Sequence, residues 1–433
     1  MSLDLPHEVI FSWPMRFATF LMILIINALR VPSGLLNFWA EDGVVFYSDV
    51  INEKFPNRLF IDSGKGGYLN LSGKIIAEFV GLFPIAVAPI INFIFVNLFY
   101  SIILWVIYSR LKVNFVNRTY LYLLMGFFVF VPAATFDSVA TSINLHFFLL
   151  FACFLIIITV DTKTTFIEHL LIVLTILSDP LAILLIPAVL LRTFLTRRFE
   201  SYLLTFVLST LAQIIFVIHF FGSSVRVIGA TPDLIKVAYL FMDRVVGSSF
   251  IPFWGHIDGQ FSQTEEISKI LLLRLGVSFI VLSLFIYIIV RAFSFNLKSF
   301  ASQRGVLVQI MVVTLCLYWA TAGLFFNPEP RYAIFPSLCL ATILLSSLDM
   351  IAINTLSLRR KKVLVCTSMM LFLALSLGAF QESEIRHTNL KWGAQLHEAK
   401  GACKSDLVEK ASIQIPPLKN NLNLFLNCKL LNR

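Results

Sequence analysis

Two adjacent carboxylates lie in the segment Trp39-Ala40-Glu41-Asp42-Gly43, just beyond the end of the first apolar stretch of the sequence. A carboxylate held near a membrane surface can accept a proton from a sugar hydroxyl, or it can hold a divalent cation against a phosphate. The same pair is also typical of a solvated acidic loop that caps a helix. Glu41 and Asp42 are therefore the first candidates for a catalytic site.

Basic and aromatic residues in two later segments are candidates for substrate binding. Arg331 and Tyr332 follow two prolines in a turn that is too short to leave the membrane edge. Arginine presents a planar, permanently charged fork to a phosphate, although an interfacial anchor would use the same residues. In the segment Trp254-Gly255-His256-Ile257-Asp258, Trp254 is suited to stack on a sugar ring while His256 and Asp258 bind hydroxyls, with Arg244 nearby in the sequence.

Ionisable residues also interrupt the apolar stretches. Asp179 stands before Pro180 in the middle of one such stretch, where a charge indicates a functional site by default, but a helix cap is an equal alternative. Arg274 and Asp137 are expected to pair with each other or to contact a lipid phosphate. The sequence does not decide between these roles.

Two of the six cysteines, Cys403 and Cys428, lie in the polar tail, whereas the other four lie inside apolar segments. An isolated pair of this kind predicts a disulfide if the tail faces an oxidising compartment.

The composition indicates the environment of the chain. Hydrophobic residues make up 58% of the 433 residues and charged residues only 14%, whereas a soluble domain has about 25% charged residues. The lysines and arginines lie mainly at the ends of apolar segments, so the net charge of +9 predicts membrane orientation rather than binding to nucleic acid. No P-loop, dinucleotide-binding, zinc-protease or serine-elbow motif is present. The sequence therefore predicts one integral membrane domain.

Nine apolar segments are predicted to cross the membrane. Their approximate limits are 12–31, 84–108, 120–131, 145–160, 201–221, 270–290, 306–325, 333–358 and 363–380. The segment 166–191 is also apolar, but Asp179 and Pro180 interrupt it and both of its flanks are basic. Because about 26 residues cannot cross a layer of about 30 Å twice, this segment is predicted to form a re-entrant hairpin or two very short helices.

Charge predicts the orientation. The segments assigned to the inner side carry fifteen basic and six acidic residues, whereas the first outer loop, 32–83, carries six acidic and four basic residues. Short cytoplasmic loops are enriched in lysine and arginine, so the amino terminus is predicted inside and the carboxyl terminus outside. The membrane domain is then 1–380, with outer loops at 32–83 and 222–269 and an outer tail at 381–433. Arg30, at the end of the first span, is expected to extend toward the outer interface.

Several of these segments together resemble a known family. They are the first span with Trp39-Ala40-Glu41-Asp42-Gly43, then Gly67-Tyr68-Leu69-Asn70-Leu71, Phe83-Pro84, Leu177-Ser178-Asp179-Pro180, Arg331-Tyr332 and the cysteine-bearing tail. They are similar to bacterial polytopic sugar transferases of the GT-C class. Within that class the chain most resembles the serotype-converting glucosyltransferases, often phage-encoded, that modify lipopolysaccharide O-antigen. The likeness covers nearly the whole chain in layout and is specific in the first loop.

The resemblance implies an all-α, GT-C-like bundle of about nine transmembrane helices plus a re-entrant hairpin, in the bacterial inner membrane. It implies transfer of a sugar, glucose in that family, from a polyprenyl-phosphate carrier to O-antigen on the periplasmic face. Glu41 and Asp42 match the essential acidic residues of the family, and Arg331 is the first candidate for the lipid phosphate. The implied partners are the lipid-linked sugar, the O-antigen acceptor, membrane lipids, a donor-synthesising transferase and a flippase. No soluble cofactor is expected, and dependence on a divalent cation is left open.

Two other functions fit the same hydropathy. A flippase or other transporter of lipid-linked oligosaccharide would place charges along its spans and often carries an internal repeat, but the charges here collect in outer loops. An O-antigen polymerase would have arginine-rich outer loops, whereas the first large loop here is acidic. Both stand as alternatives to the transferase.

Overall fold

The structure is a computed structural model. It describes residues 13–61, 68–132, 138–159, 164–196, 200–220, 234–251, 266–293, 303–325, 330–355, 357–380, 391–404, 409–416 and 422–431. Four residues with predicted roles, Asp137, Trp254, His256 and Asp258, lie outside the described residues.

Helices form almost all of the described chain. The longer ones are α1 (Trp13–Arg30), α3 (Leu71–Val80), α4 (Ala88–Leu111), α5 (Arg118–Phe130), α6 (Leu145–Ile158), α7 (Phe166–Ile176), α8 (Ile186–Thr196), α9 (Ser201–Phe220), α12 (Glu266–Phe293), α13 (Gln303–Phe325), α14 (Ile334–Thr355), α15 (Leu358–Gly378) and α16 (Trp392–Ala402). The shorter ones are α2 (Ser48–Asn52), α10 (Leu234–Leu240), α11 (Ser248–Phe250) and α17 (Cys428–Leu431). Two strands, β1 (Lys410–Ile415) and β2 (Leu422–Asn427), form an antiparallel hairpin.

Six helices of the described residues are long and apolar enough to cross a membrane, or seven if a bent pair counts as one span. The six are Trp13–Arg30, Ile85–Leu111, Ser201–His219, Leu272–Phe293, Arg331–Ile353 and Arg359–Gly378. Three further predicted spans correspond to shorter apolar helices, Arg118–Phe130, Leu145–Ile158 and Val308–Gly323. The chain is therefore a helical, multi-pass membrane protein, and its small sheet lies in the tail.

The core of the bundle is the short helix α6. All fourteen of its residues are buried, and at about 1.5 Å per residue it is only about 21 Å long, less than the hydrocarbon thickness of about 30 Å. A helix that is enclosed by protein does not need to match the thickness of the hydrocarbon layer in length. The polar residues that precede it, Ser138, Thr141, Ser142 and Asn144, are buried too, so this segment is set into the bundle.

The break predicted at Asp179 and Pro180 is present. Helix α7 begins with a capping box between Thr165 and Glu168, ends at Ile176, and is followed by a helical stretch, Pro180–Phe194, at an angle of 118°. Pro180 removes a backbone donor and cannot continue the helix, which explains the position of the bend.

The start of α7 and the end of α8, which lie away from the bend, are both fixed at the same end of the bundle. Arg110, in the last turn of α4, donates to both carboxylate oxygens of Glu168 at 2.5 and 2.6 Å, and both side chains are buried. Arg192 donates to carbonyls at the carboxyl end of α6 and pairs with Glu200 at 2.6 Å. Asp349 accepts from the backbone N–H groups before α5 at 2.9 and 3.0 Å. We call this end of the bundle the basic end.

Arg30 does not extend to the interface, so that prediction is wrong. Its side chain is buried, and its guanidinium donates to the carbonyls of Ala379 at 2.8 Å, Val129 at 3.2 Å and Val131 at 3.3 Å. The last carbonyls of a helix lack intrahelical partners and carry partial negative charge. Arg30 therefore joins the carboxyl-terminal ends of α1, α5 and α15 at the end opposite the basic end.

The tail is a small unit that packs on the first loop. Cys403 and Cys428 form a disulfide, and Trp392 donates from its indole nitrogen to the Ile85 carbonyl at 2.8 Å. The Trp392 ring also meets Phe38 edge to face, with centroids 5.3 Å apart. Alternate residues of the hairpin, including Ile413 and Leu424, are buried on its inner face. The tail thus gains its core from the first loop.

Replacing Cys403 and Cys428 with serine should loosen the tail. The disulfide spans 25 positions of sequence, and a bridge closing a loop of this size contributes about 3 kcal/mol. We expect the double variant to be cut by trypsin within the tail at protease concentrations that leave the parent intact. Cys366→Ser, which changes an exposed free cysteine, is the control. Equal resistance of the two variants would contradict the prediction.

Candidate functional site

The predicted acidic pair lies at the start of an unusual turn. Ala40 has a φ of 44°, in the left-handed region that alanine rarely adopts, and its N–H donates to the Pro416 carbonyl of the tail at 2.7 Å. The chain then enters a π-helix, Asp42–Tyr47. Short π-helical turns are rare and occur often at functional sites.

Asp42 is fully engaged in holding this turn to the bundle. The residue is 2% exposed. Oδ1 accepts from the Ser142 hydroxyl at 2.8 Å and the Ile143 N–H at 2.9 Å, and Oδ2 accepts from the Ser142 N–H at 2.9 Å and the Asn92 amide at 3.2 Å. Burial raises the pKa of the Asp42 carboxyl, and these four hydrogen bonds oppose that rise. Since three of these four donors, the N–H and hydroxyl of Ser142 and the N–H of Ile143, precede the first turn of α6, the helix dipole also favours a carboxylate here.

Glu41 differs from its neighbour. It is half-buried, and among the described residues its carboxylate has no hydrogen-bond or ion-pair partner. Because Asp42 fixes the backbone on one side and Ala40 on the other, Glu41 is held in position without having its oxygens occupied. A carboxylate of this kind is available to accept a proton from a bound hydroxyl.

A second polar group lies at the tip of the bent pair. Asp179 caps the following helical turn by accepting from the Leu181 N–H at 2.8 Å, and its other oxygen is 3.9 Å from Nε2 of His146. His146 is in the first turn of α6, four residues after Ser142. The Asp42 and Asp179 carboxylates therefore both lie at the amino-terminal end of the same helix.

The Arg331 turn reaches this end of α6 as well. The ring of Tyr332 meets that of Phe147 edge to face, with centroids 5.3 Å apart. Arg331 and Tyr332 are half-buried in the short helical turn Pro330–Ala333 that leads into α14. The structure thus brings the first loop, the tip at Asp179 and the Arg331 turn to one end of the bundle, which we call the site end.

Arg244 belongs to a neighbouring unit. It is half-buried in a second π-helix, Phe241–Gly247, which packs against the turn Pro330–Ala333. Its neighbour Asp243 pairs with Arg274 at 3.0 Å, and both are buried. Arg274, for which Asp137 and a lipid phosphate were the predicted partners, therefore pairs with Asp243.

Backbone strain is concentrated at the site end. Outside glycine, the described residues with positive φ are Ala40, Asn70 and Ala140, at 44°, 46° and 55°. Ala40 precedes the acidic pair, and Ala140 precedes the segment that binds Asp42. Asn70 begins α3, whose first N–H groups donate to the Leu177 carbonyl at 3.2 Å and the Ser178 hydroxyl at 2.8 Å. Such conformations cost about 1–3 kcal/mol each and cluster at functional sites.

Three residues of this site were missed from the sequence. Asn92, Ser142 and His146 contact the two carboxylates, but each lies within or beside a predicted span and matches no motif. The available signal was polarity: Asn92 is a polar residue in the first half of a largely apolar helix, and Ser142 to His146 end a polar interruption.

Gly43 sets the distance between the tail and the acidic pair. A Cβ at this position would lie 2.9 Å from Cβ of Phe38 and 3.2 Å from Cδ1 of Ile415. Gly43→Ala should therefore displace the hairpin and destabilise the protein by about 1–3 kcal/mol. The measurement is the free energy of unfolding in mixed micelles, with Gly393→Ala, which meets open space, as the control. Equal effects of the two substitutions would show that the hairpin is not in tight contact with the loop.

The described residues contain no group of three or more histidine, cysteine, aspartate or glutamate side chains placed to hold a metal ion. No protein-family model matches the chain, and no curated protein matches it in sequence.

Proposed function

We propose that the chain is a GT-C-type glycosyltransferase that moves a sugar, glucose in the family it resembles, from a polyprenyl-phosphate carrier to lipopolysaccharide O-antigen at the outer face of the bacterial inner membrane. The observation that carries this proposal is the Glu41 carboxylate, which has no partner among the described residues and stands beside an Asp42 anchored by four hydrogen bonds. A solvated capping loop would have no need for a buried anchor of this kind.

The two acidic residues have different roles in this proposal. Glu41 accepts the proton of the acceptor hydroxyl as that oxygen bonds to the anomeric carbon of the donor sugar. The bond between the anomeric carbon and the phosphate oxygen breaks, and its electron pair leaves with the polyprenyl phosphate. Arg331, in the turn beside α6, stabilises the charge that develops on the phosphate. Asp42 is a positioning residue.

The finer topology belongs to the same proposal. We infer nine spans and a re-entrant hairpin, with the site end outside. The hairpin is supported by the ion pairs of Arg110 with Glu168 and of Arg192 with Glu200, which fix both ends of the bent pair at the basic end. The orientation is supported by the four consecutive basic residues Arg359–Lys362 at the start of α15. A reporter fused to the tail and active only in the cytoplasm would contradict it.

The proposal is tested by expressing the protein in a strain that makes both an O-antigen and a lipid-linked sugar pool. Mass analysis of the polysaccharide should show one added hexose per repeat, and the same assay with and without EDTA tests the need for a divalent cation. An unchanged repeat mass, with membrane insertion verified, would contradict the proposal. A longer chain with an unchanged repeat would instead indicate a polymerase.

A further inference from the structure

A large apolar groove opens on the side of the bundle, and none of the candidate site residues lines it. It has a volume of about 880 Å³ and is lined by α1, α4 and α5, with single contributions from α7 and α15. Its lining on α1 runs from Trp13 to Ile26, about 20 Å at 1.5 Å per residue, which exceeds the half-thickness of the hydrocarbon layer. The groove therefore has the volume of a small-molecule site and the length of a lipid chain.

The walls of this groove present carbon atoms. Besides Tyr108 and Tyr122, two lining residues carry hydroxyls, and both hydroxyls are satisfied by their own helices: Thr19 donates to the Met15 carbonyl at 2.9 Å and Ser101 to the Leu98 carbonyl at 2.7 Å. An occupant of the deep part must therefore be a hydrocarbon chain.

The mouth of the groove has a different chemistry. The guanidinium of Arg16 lies 3.7 Å from the centre of the Trp105 ring, and the rings of Tyr108 and Tyr122 stack nearly parallel beside them, with centroids 6.4 Å apart. Stacking on an indole fixes the plane of a guanidinium, and arginine binds phosphate through the edge of that plane. Tryptophan and tyrosine rings are typical of the level of lipid headgroups.

The mouth also lies at the basic end of the bundle. Arg110, in the turn of α4 that follows Trp105, is neutralised by Glu168. Arg118, at the start of α5, folds back to donate to the Lys112 carbonyl at 2.8 Å, so Arg16, Lys112 and Arg118 are the cations on this side. The charge around the mouth is therefore positive, and an anionic headgroup complements it, whereas a zwitterionic headgroup gains less.

We propose that this groove is a binding site for an anionic phospholipid of the membrane leaflet at the basic end, with its phosphate at Arg16 and one acyl chain between α1, α4 and α5. This site is distinct from the proposed transferase site and does not depend on it. Its occupant fills the gap between α1 and the rest of the bundle and so fixes a helix that is otherwise largely exposed.

The test uses purified, delipidated protein and native mass spectrometry. Dioleoyl phosphatidylglycerol and dioleoyl phosphatidylcholine are titrated separately, and the bound fraction is read at each concentration. We expect the parent to bind phosphatidylglycerol about tenfold more tightly than phosphatidylcholine, the difference in affinity expected for one charge-assisted contact. No preference between the two lipids in the parent would overturn the proposal without the need for any variant.

Two substitutions, Arg16→Gln and Met22→Trp, locate the site, and each is paired with a control. Arg16→Gln should make the affinities for phosphatidylglycerol and phosphatidylcholine nearly equal, whereas Arg16→Lys should keep part of the difference. Its control is Arg360→Gln, which changes an exposed arginine at the same end and should leave both affinities unchanged. Met22→Trp, inside the groove, should weaken binding of both lipids, whereas Leu21→Trp, exposed on the same helix outside the groove, should not. Equal effects within either pair would overturn the proposal. Displacement of phosphatidylglycerol by an equal concentration of polyprenyl phosphate would also overturn it, because the groove would then belong to the carrier.

Discussion

Glu41→Gln is expected to reduce sugar transfer by about 10²–10⁴-fold, the usual contribution of a positioned general base. The amide has the shape of the carboxylate but cannot accept the proton of the acceptor hydroxyl. Because no described residue hydrogen-bonds to Glu41, its replacement should leave the unfolding midpoint unchanged. The measurement is the initial rate of hexose transfer from a polyprenyl-phosphate donor to O-antigen in membranes containing equal amounts of protein.

Glu53→Gln is the matched control for this experiment. Glu53 is an exposed acid at the end of α2 in the same loop, so its substitution removes one negative charge from the loop without touching the site end. We expect full activity. Glu41→Asp should retain partial activity, since it keeps the base but shortens its reach. If Glu41→Gln transferred sugar at the parental rate, Glu41 would not be the base, and the acidic pair would be a structural element only.

Much of the fold could be predicted from hydropathy and charge. Each predicted span overlaps a helix, and the break at Asp179 and Pro180 follows from the missing proline donor and from length. The spans could be located because a helix in lipid requires a long apolar run of residues, and this requirement does not depend on which helices pack beside it. The number that cross the bilayer could not be fixed in the same way, because a helix such as α6 is enclosed by protein and is released from the length requirement.

The positions of the charged residues were less predictable. Arg30 was expected at the interface, yet it binds three carbonyls from the ends of two other helices. Arg274 pairs with Asp243, which lies in the second π-helix, Phe241–Gly247. Both outcomes depend on which helix ends meet in space, and a single sequence does not contain that information.

The acidic pair shows the same limit within one site. Its residue types and place after the first span mark it as a candidate. One carboxylate is anchored and the other available because Ser142 and Ile143 donate hydrogen bonds to Asp42. These two residues lie 100 and 101 positions after Asp42 in the sequence. The left-handed turn at Ala40 gives no signal in the sequence either, because alanine is not the residue that such a turn favours.

Asp42→Ala should destabilise the protein by about 3–5 kcal/mol, because it leaves several buried donors without an acceptor. Asp42→Asn should destabilise the protein less, by about 1–3 kcal/mol. Its remaining oxygen can still accept hydrogen bonds, and the Asn92 side chain can turn so that its own oxygen faces the new N–H₂ group. The Ser142 N–H, however, would then face that N–H₂ group and lose its acceptor. Transfer activity should fall in both variants, since Glu41 loses its fixed position. The measurement is the free energy of unfolding in mixed micelles, paired with the transfer rate.

Glu53→Ala provides the comparison, because this exposed acid at the end of α2 in the same loop has no ion pair among the described residues, and its removal should change the free energy of unfolding by about 0.5 kcal/mol or less. The role of Asp42 as an anchor is tested further by combining Asp42→Ala with Ser142→Ala. The hydroxyl of Ser142 has lost its acceptor once Asp42 is gone, so its removal should then cost less than it does in the parent, and the two effects should not add. Additive losses would mean that Asp42 stabilises the fold through contacts other than the segment before α6, and Glu41 would then have no rigid support from the bundle.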